Sequence, residues 1–341
     1  MKLTTRKICA TLTTAAAAGL FAAQTFAADV TLTLGHVDPA EWQTSKKGAA
    51  AKVFKELVEA ESGGRIAVNV YPNGQLGGET DLVQSAQDGT LSMAFVSGAF
   101  SKVCPEAAVL DTPYLFPSAP IAWEVLDGQF GKDLSKHCLG KTGLRTLAYG
   151  ETGFRNFTNS KHPITEPKDL EGLKIRVMTV PLFVEMVKAM GGKPTPIAWP
   201  EVPSALSTGV VDGQENPVSV IAGNKFYEIQ KYITLDGHVY GTDFFVINDD
   251  LYQGLSQTDR EIVARAAKVA ATVGRAIQQL NSAQGLGELA KNGMEITALT
   301  AEQQAKFQAA AQPPVLEWLK TQIDPSWIDK ALAAVKEASS N

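Results

Sequence analysis

The chain has 341 residues, with 31 Lys or Arg against 36 Asp or Glu and a formal net charge of −5. An acidic chain without basic runs suits neither nucleic acid nor an anionic membrane surface, so any anion must be held by local arginines rather than by the overall field. The length accommodates two medium-sized domains, and past the N-terminal segment no apolar run is long enough to cross a bilayer.

Lys2, Arg6 and Lys7 precede an apolar, alanine-rich stretch from Ile8 to Ala23, and Thr25-Phe26-Ala27 supplies small residues three and one before a cleavage point. Residues 1–27 therefore read as a secretory signal peptide, cut between Ala27 and Ala28. Its three cations leave with it, so the mature chain has 314 residues and a net charge of −8. Cys9 lies in Arg6-Lys7-Ile8-Cys9, which is not the small-residue setting of a lipoprotein cysteine. The two mature cysteines, Cys104 and Cys138, are a candidate disulfide in an oxidising compartment; the alternative is two separate buried thiols acting as small hydrophobes.

Val30 to Gly35 alternates apolar and polar residues and reads as a first strand. A helix is predicted from Glu41 to Glu61, with Ala50, Phe54, Leu57 and Val58 on one stripe and Gly63-Gly64 as its stop. Arg65 to Tyr71 is a second strand, ended by Pro72-Asn73-Gly74; a shorter helix from about Glu79 to Asp88 follows, then a third strand from Leu91 to Val96. This alternation opens a doubly wound α/β domain. Ser118 starts a helical stretch reaching Leu139, with a break at Asp127-Gly128. Leu144 to Tyr149 reads as a strand and Gly150-Glu151-Thr152-Gly153 as a crossing to a second domain.

In that domain Arg155 to Thr158 and Leu173 to Val177 read as strands, Pro181 opens a helix with Leu182, Phe183, Met186, Val187 and Met190 on one face, and Trp199-Pro200-Glu201 starts another ending near Gly209. Phe244 to Ile247 is apolar enough for a buried central strand. From Thr258 to Asn292 the positions Ile262, Ala266, Val269, Val273, Ile277 and Leu280 recur at helical spacing over an unusual length. Thr300 with Gln303 fits a capping box, and Pro325-Ser326-Trp327 breaks the chain before a final short helix.

The most informative stretches are Leu173-Lys174-Ile175-Arg176-Val177 and Asp212-Gly213-Gln214-Glu215-Asn216-Pro217. Strand alternation places Arg176 on the face opposite Ile175 and Val177, and a planar guanidinium can hold a carboxylate by two parallel charge-assisted bonds. Taken alone, Arg176 reads as an exposed strand arginine and Asn216 as a turn residue before proline. With Gly153-Phe154-Arg155-Asn156-Phe157-Thr158-Asn159 and Asp111-Thr112-Pro113-Tyr114-Leu115-Phe116, however, the chain resembles the periplasmic substrate-binding proteins of TRAP transporters, the DctP-type family.

That resemblance covers the whole mature chain and implies a periplasmic-binding-protein-like α/β fold: two α/β domains with a ligand cleft between them, joined by crossing segments and a long bridging helix. Domain I takes residues 28–152 and about 242–282, domain II residues 153–241 and about 283–341. It also implies that Arg176 clamps a ligand carboxylate with Asn216, and that Arg155 and Trp199 contact the ligand. For Arg155 the plain alternative is a surface ion pair with Glu151 or Glu201. In domain I, Glu79 at a helix start, Ser97 ending a strand, and His36 and Trp42 after the first strand are candidates for the variable contacts.

The implied function is a periplasmic receptor, expected as a monomer, that binds a small organic acid without metal or cofactor and hands it to the TRAP membrane subunits. Glu79, His36 and Ser97 favour a sugar acid or hydroxy acid; Trp42 and Trp199 would suit an aromatic acid, and a dicarboxylate is next. A ligand-presenting sensor for a membrane receptor kinase needs the same cleft. An enzyme is disfavoured: His36, His137, His162 and His238 show no metal-ligand spacing, and there is no G-x-S-x-G elbow or glycine-rich phosphate loop.

Overall fold

Two strands far longer than their neighbours run through the middle of the molecule and determine its shape. The computed structural model describes residues 28–340, so the signal segment and its cleavage point lie outside the described residues. Nine strands form one sheet: β1 (Val30–Gly35), β2 (Ile66–Tyr71), β3 (Met93–Val96), β4 (Leu144–Asn159), β5 (Lys174–Val177), β6 (Lys193–Pro196), β7 (Gly213–Asn216), β8 (Tyr232–Asn248) and β9 (Glu295–Ala298). Their order is β2-β1-β3-β8-β4-β7-β5-β6, with β9 also on β8.

The 16-residue β4 and the 17-residue β8 are antiparallel along most of their length. At one end β8 adds β3, and through it the parallel β1 and β2. At the other end β4 adds β7, and through it the parallel β5 and β6. Each end is covered by helices, giving two α/β lobes that share two continuous strands. The expected crossing at Gly150 to Gly153 is therefore not a loop but the middle of β4. It is an irregular middle, with register shifts between Thr146 and Ala148, Glu151 and Gly153, and Arg155 and Phe157. Gly153 has φ +100°, which strains any residue with a Cβ, and a Cβ there would also have to displace the Gln278 side chain, whose Nε2 would stand 2.4 Å away.

The long helix is present as Gln257–Lys291, 35 residues, with Ser256 Oγ accepting from the Asp259 amide at its start. It packs on the Lys46–Glu61 helix, on β4 and on the Val218–Gly223 helix, and so bridges the lobes. Its buried seam keeps Ile262 and Ala266 of the stripe read in the sequence but departs from it further along: Val269 and Leu280 are 43% and 50% exposed, whereas Ala267, Ala270, Ala271 and Gly274 are buried. The reason is close approach. A Cβ on Gly274 would meet Lys46 O at 3.2 Å and Ala50 Cβ at 3.4 Å, so the contact selects small residues rather than large apolar ones.

Most predicted elements are present with shifted ends. The first helix begins at Lys46 rather than Glu41, because Ser45 Oγ takes the Gly48 amide while the Ser45 amide turns back to Glu41 O. Gly128 does split the next stretch, into Ala119–Asp127 and Gln129–Thr142, and the Thr300–Gln303 capping box forms. The last helix, Ser326–Ala338, packs against that split pair, with the Trp327 ring 4.9 Å from His137 and 6.2 Å from Phe130.

Cys104 and Cys138 are joined, with their Cα atoms 5.5 Å apart at a sequence separation of 34. The bridge ties the Pro105–Asp111 turn region to the Gln129–Thr142 helix. Replacing both cysteines by serine is expected to cost about 2–4 kcal/mol in urea unfolding, chiefly by freeing the unfolded chain. An unchanged midpoint would show that the bridge contributes nothing.

Candidate ligand-binding site

Between the lobes lies a cavity of about 280 Å³. One wall is built where the first lobe's parallel strands end: Asp38 follows β1, Ser97 follows β3, and the starts of two helices supply Lys46, Lys47 and Glu79. The facing wall comes from Arg155 of β4, Arg176 and Met178 at the end of β5, Asn216 closing β7, and the Ala198-Trp199 turn. Ligands of open α/β sheets lie at such strand ends because loops and helix N-termini converge there.

Arg176 is the third residue of β5. Ile175 and Val177 point into the core, while Arg176 turns into the cavity and is only 2% exposed. The plain reading of an exposed strand arginine is therefore wrong. Its Nε and Nη2 donate to Ile197 O at 2.9 and 2.7 Å, and its Cζ stands 5.7 Å from the Trp199 ring. No Asp or Glu among the described residues forms an ion pair with it. Burial draws its pKa down to about 10, with Arg155 adding to the effect and Glu215 and Glu79 opposing it. A charge taken out of water without a counter-charge is costly, even when a carbonyl oxygen accepts from it.

The other lining cations that are buried already have partners. Lys46 Nζ is 2.8 Å from Asp38 Oδ2, and Lys47 Nζ is 2.6 Å from Glu79 Oε1 and 3.2 Å from Asp243 Oδ1. Ser97 Oγ donates to the remaining Glu79 oxygen at 2.7 Å. Although burial opposes it, Lys47 and Ser97 hold the Glu79 carboxyl below its usual range. Asp38 is held at about 2 against burial by Lys46 and Lys47.

Arg155 is buried as well, but not as the surface pair weighed from sequence. Its Nε and Nη2 engage both carboxylate oxygens of Glu215, and Nη2 also donates to Glu215 O at 2.7 Å. Glu215 receives His238 Nε2 at 3.3 Å, and His238 Nδ1 stands 2.7 Å from Asp236. Asp236 and His238 come from a bulge of β8 opposite Asn156, where Gly237 takes φ +59°. Despite burial, Asp236 and Glu215 raise His238 to about 9, while Arg155 and His238 lower Glu215 to about 2. These four side chains form a row in which basic and acidic residues alternate. They support the wall from which Arg176 projects.

The cavity brings together six of the eight residues singled out in the sequence: Arg176, Asn216, Arg155, Trp199, Glu79 and Ser97. Two are elsewhere. His36 is fully buried; burial, with Lys47 and Lys46 nearby and Asp38 opposing, brings it down to about 4, so it is a neutral core residue. Trp42 is 46% exposed in the turn before the first helix. Sequence reasoning missed Lys47, Asp38 and Met178. Lys46-Lys47 did carry a signal, since two cations in a helix's first turn oppose the macrodipole and call for a compensating partner. Cys104, Glu106 and His137 also come together, but the Cys104 sulfur is in the disulfide and Lys141 occupies the Glu106 carboxylate.

Residues 35–322 match the family model described as bacterial extracellular solute-binding protein, family 7, DctP. The chain belongs to the DctP family of TRAP solute-binding proteins. A solute-binding protein of Verminephrobacter eiseniae is 40% identical over 272 residues, 80% of each chain. A solved TRAP periplasmic protein of Roseobacter denitrificans with bound L-galactonate has a TM-score of 0.83 at 35% identity, covering 89% of this chain and 99% of that one. The sugar acid binding protein DctPAm of Advenella mimigardefordensis, in complex with galactonate, has a TM-score of 0.86 at 33% identity, covering 90% and 98%. The DctP family is periplasmic, its members are receptors working with membrane subunits, and no helix among the described residues of this chain is long and apolar enough to cross a membrane.

Two predictions separate the arginines and the charge chain. Glu215→Gln leaves Arg155 buried without its partner and should lower unfolding stability by about 3–5 kcal/mol, whereas Arg176→Gln should leave ligand-free stability unchanged or higher. Denaturant titrations with the two variants reversed in order would refute this assignment. For His238, carbon NMR of the ring should show no step until pH about 9. Because its folded pKa is raised, its stabilising share is complete below about 6.5 and is lost as pH climbs to about 9.

Proposed function

We propose that this DctP protein is a TRAP transporter's receptor for a sugar acid or hydroxy acid, held between the lobes with its carboxylate on Arg176 and Asn216. The observation that carries this reading is a buried guanidinium with no acidic partner at the wall of an interlobe cavity. Its Nη1 is free of the Ile197 bond, and Asn216 Nδ2, now 2.5 Å from Gln214 Oε1, lines the same wall. Trp199 offers a flat apolar face beside the guanidinium, suited to a carbon skeleton.

The first-lobe wall supports the hydroxylated class. Glu79, Asp38 and the lysines on them present acceptors and donors side by side, which a hydroxyl can use in both directions. Bound galactonate in two solved relatives agrees with that chemistry. We further propose that the lobes, residues 28–152 with about 242–282 and 153–241 with about 283–341, close over the ligand by bending at the irregular middle of β4 and β8, so that the membrane subunits meet only the closed form.

Thermal-shift and calorimetric titration of the mature protein with sugar acids and hydroxy acids tests the reading. An acid present at about 100 times its Kd should stabilise the protein by about 2.7 kcal/mol, and Arg176→Gln should weaken its binding about 100-fold or more. A stabilising acid that Arg176→Gln binds equally well would sink the clamp.

A further inference from the structure

We propose that the cavity accepts one carboxylate and rejects a second, and that Glu79 is the residue that enforces the rejection. This deepens the reading of Arg176 as a carboxylate site and rests on it. The argument is an inventory of charge. Lys46 faces Asp38, Lys47 faces both Glu79 and Asp243, and Arg155 faces Glu215, all at ion-pair distance and largely out of water. Arg176 alone among the buried lining cations has no acidic partner. Lys102 also lines the cavity, but it is exposed and hydrogen-bonded to Thr80 Oγ1, where solvent screens it.

Across from Arg176 the balance tips the other way. The Lys47 ammonium serves two carboxylates, and its three donors leave at most one for a ligand. Glu79 has both oxygens engaged, yet it keeps its negative charge in the cavity wall. A ligand hydroxyl fits here, because it can donate to Glu79 or Asp38 and accept from a lysine. A second ligand carboxylate has no unmatched buried cation to meet and lies against Glu79. Like charges brought together out of water are a strong means of exclusion, on the order of 100-fold or more in affinity. The inference selects hydroxylated monocarboxylates over diacids of the same carbon chain.

The test is calorimetry on the ligand-free mature protein with matched pairs: D-erythronate against meso-tartrate, and D-galactonate against galactarate. The monoacid should bind at least about 100-fold more tightly than its diacid. Glu79→Gln, which removes the charge but keeps the shape, should shrink that ratio to within about tenfold. A third probe, the half-amide of galactarate, keeps the size of the diacid without its second charge. It should bind wild-type protein much as galactonate does, and this comparison stands whether or not Glu79→Gln folds. A diacid within tenfold of its monoacid, or a half-amide as weak as the diacid, overturns the proposal while leaving an Arg176-dependent receptor intact. A ratio unchanged in folded Glu79→Gln overturns the role of Glu79. If neither acid of either pair binds, the sugar-acid reading itself falls, and this inference with it.

Discussion

A guanidinium buried without a counter-charge is the constraint on which the rest of the site depends. Arg176 can be kept in a protein wall only if the surrounding structure is stable enough to bear its desolvation, and only usefully if something anionic arrives. The nearby architecture meets the first condition. Arg155, Glu215, His238 and Asp236 form an alternating row beneath the wall, and Ile197 O fixes the direction of the Arg176 fork. Neutralising Arg155 with Glu215 has a second effect: it leaves Arg176 as the place where a carboxylate gains most. One arginine is neutralised by an acid and the other is not, although both line the same wall of the cavity.

The same economy of charge appears on the facing lobe. Lys47 would be a second anion site if it were free, but Glu79 and Asp243 occupy it. The cavity is thus polarised, with a cationic end and a polar end of nearly balanced charge. A polarised cleft between two lobes joined by continuous strands suits a receptor. In the closure proposed above, a ligand touching both walls would stabilise the closed form through its differential contacts with it, and the register of β4 on β8 is irregular between the two lobes.

Legibility from the sequence was uneven for identifiable reasons. Elements with periodic apolar patterns, such as β1, β2 and the long helix, were readable, with ends off by a few residues where a cap such as Ser45 decided them. The strands β4 and β8 were read only in pieces, at Leu144–Tyr149, Arg155–Thr158 and Phe244–Ile247, and their continuity was not legible. Their middles carry Glu151, Asp236, His238, Thr242 and Asp243, buried polar residues whose partners lie far away in sequence and which break the apolar pattern. The seam of the long helix was misread for a related cause, because large apolar residues were assumed to mark the packed face when close approach required alanine and glycine.

By itself, the sequence determined the α/β class and the family, and it singled out Arg176 and Asn216 as candidates for the clamp, since these depend on local patterns and on contiguous motifs around the two residues. The tertiary structure alone decided which charges are paired. That Arg155 belongs to Glu215 and Lys47 to Glu79 and Asp243, while Arg176 has no acidic partner among the described residues, depends on distances across 32 to 196 residues of chain. Formal charge is a property of a residue, but free charge is a property of its neighbours, and only the folded chain brings those neighbours together.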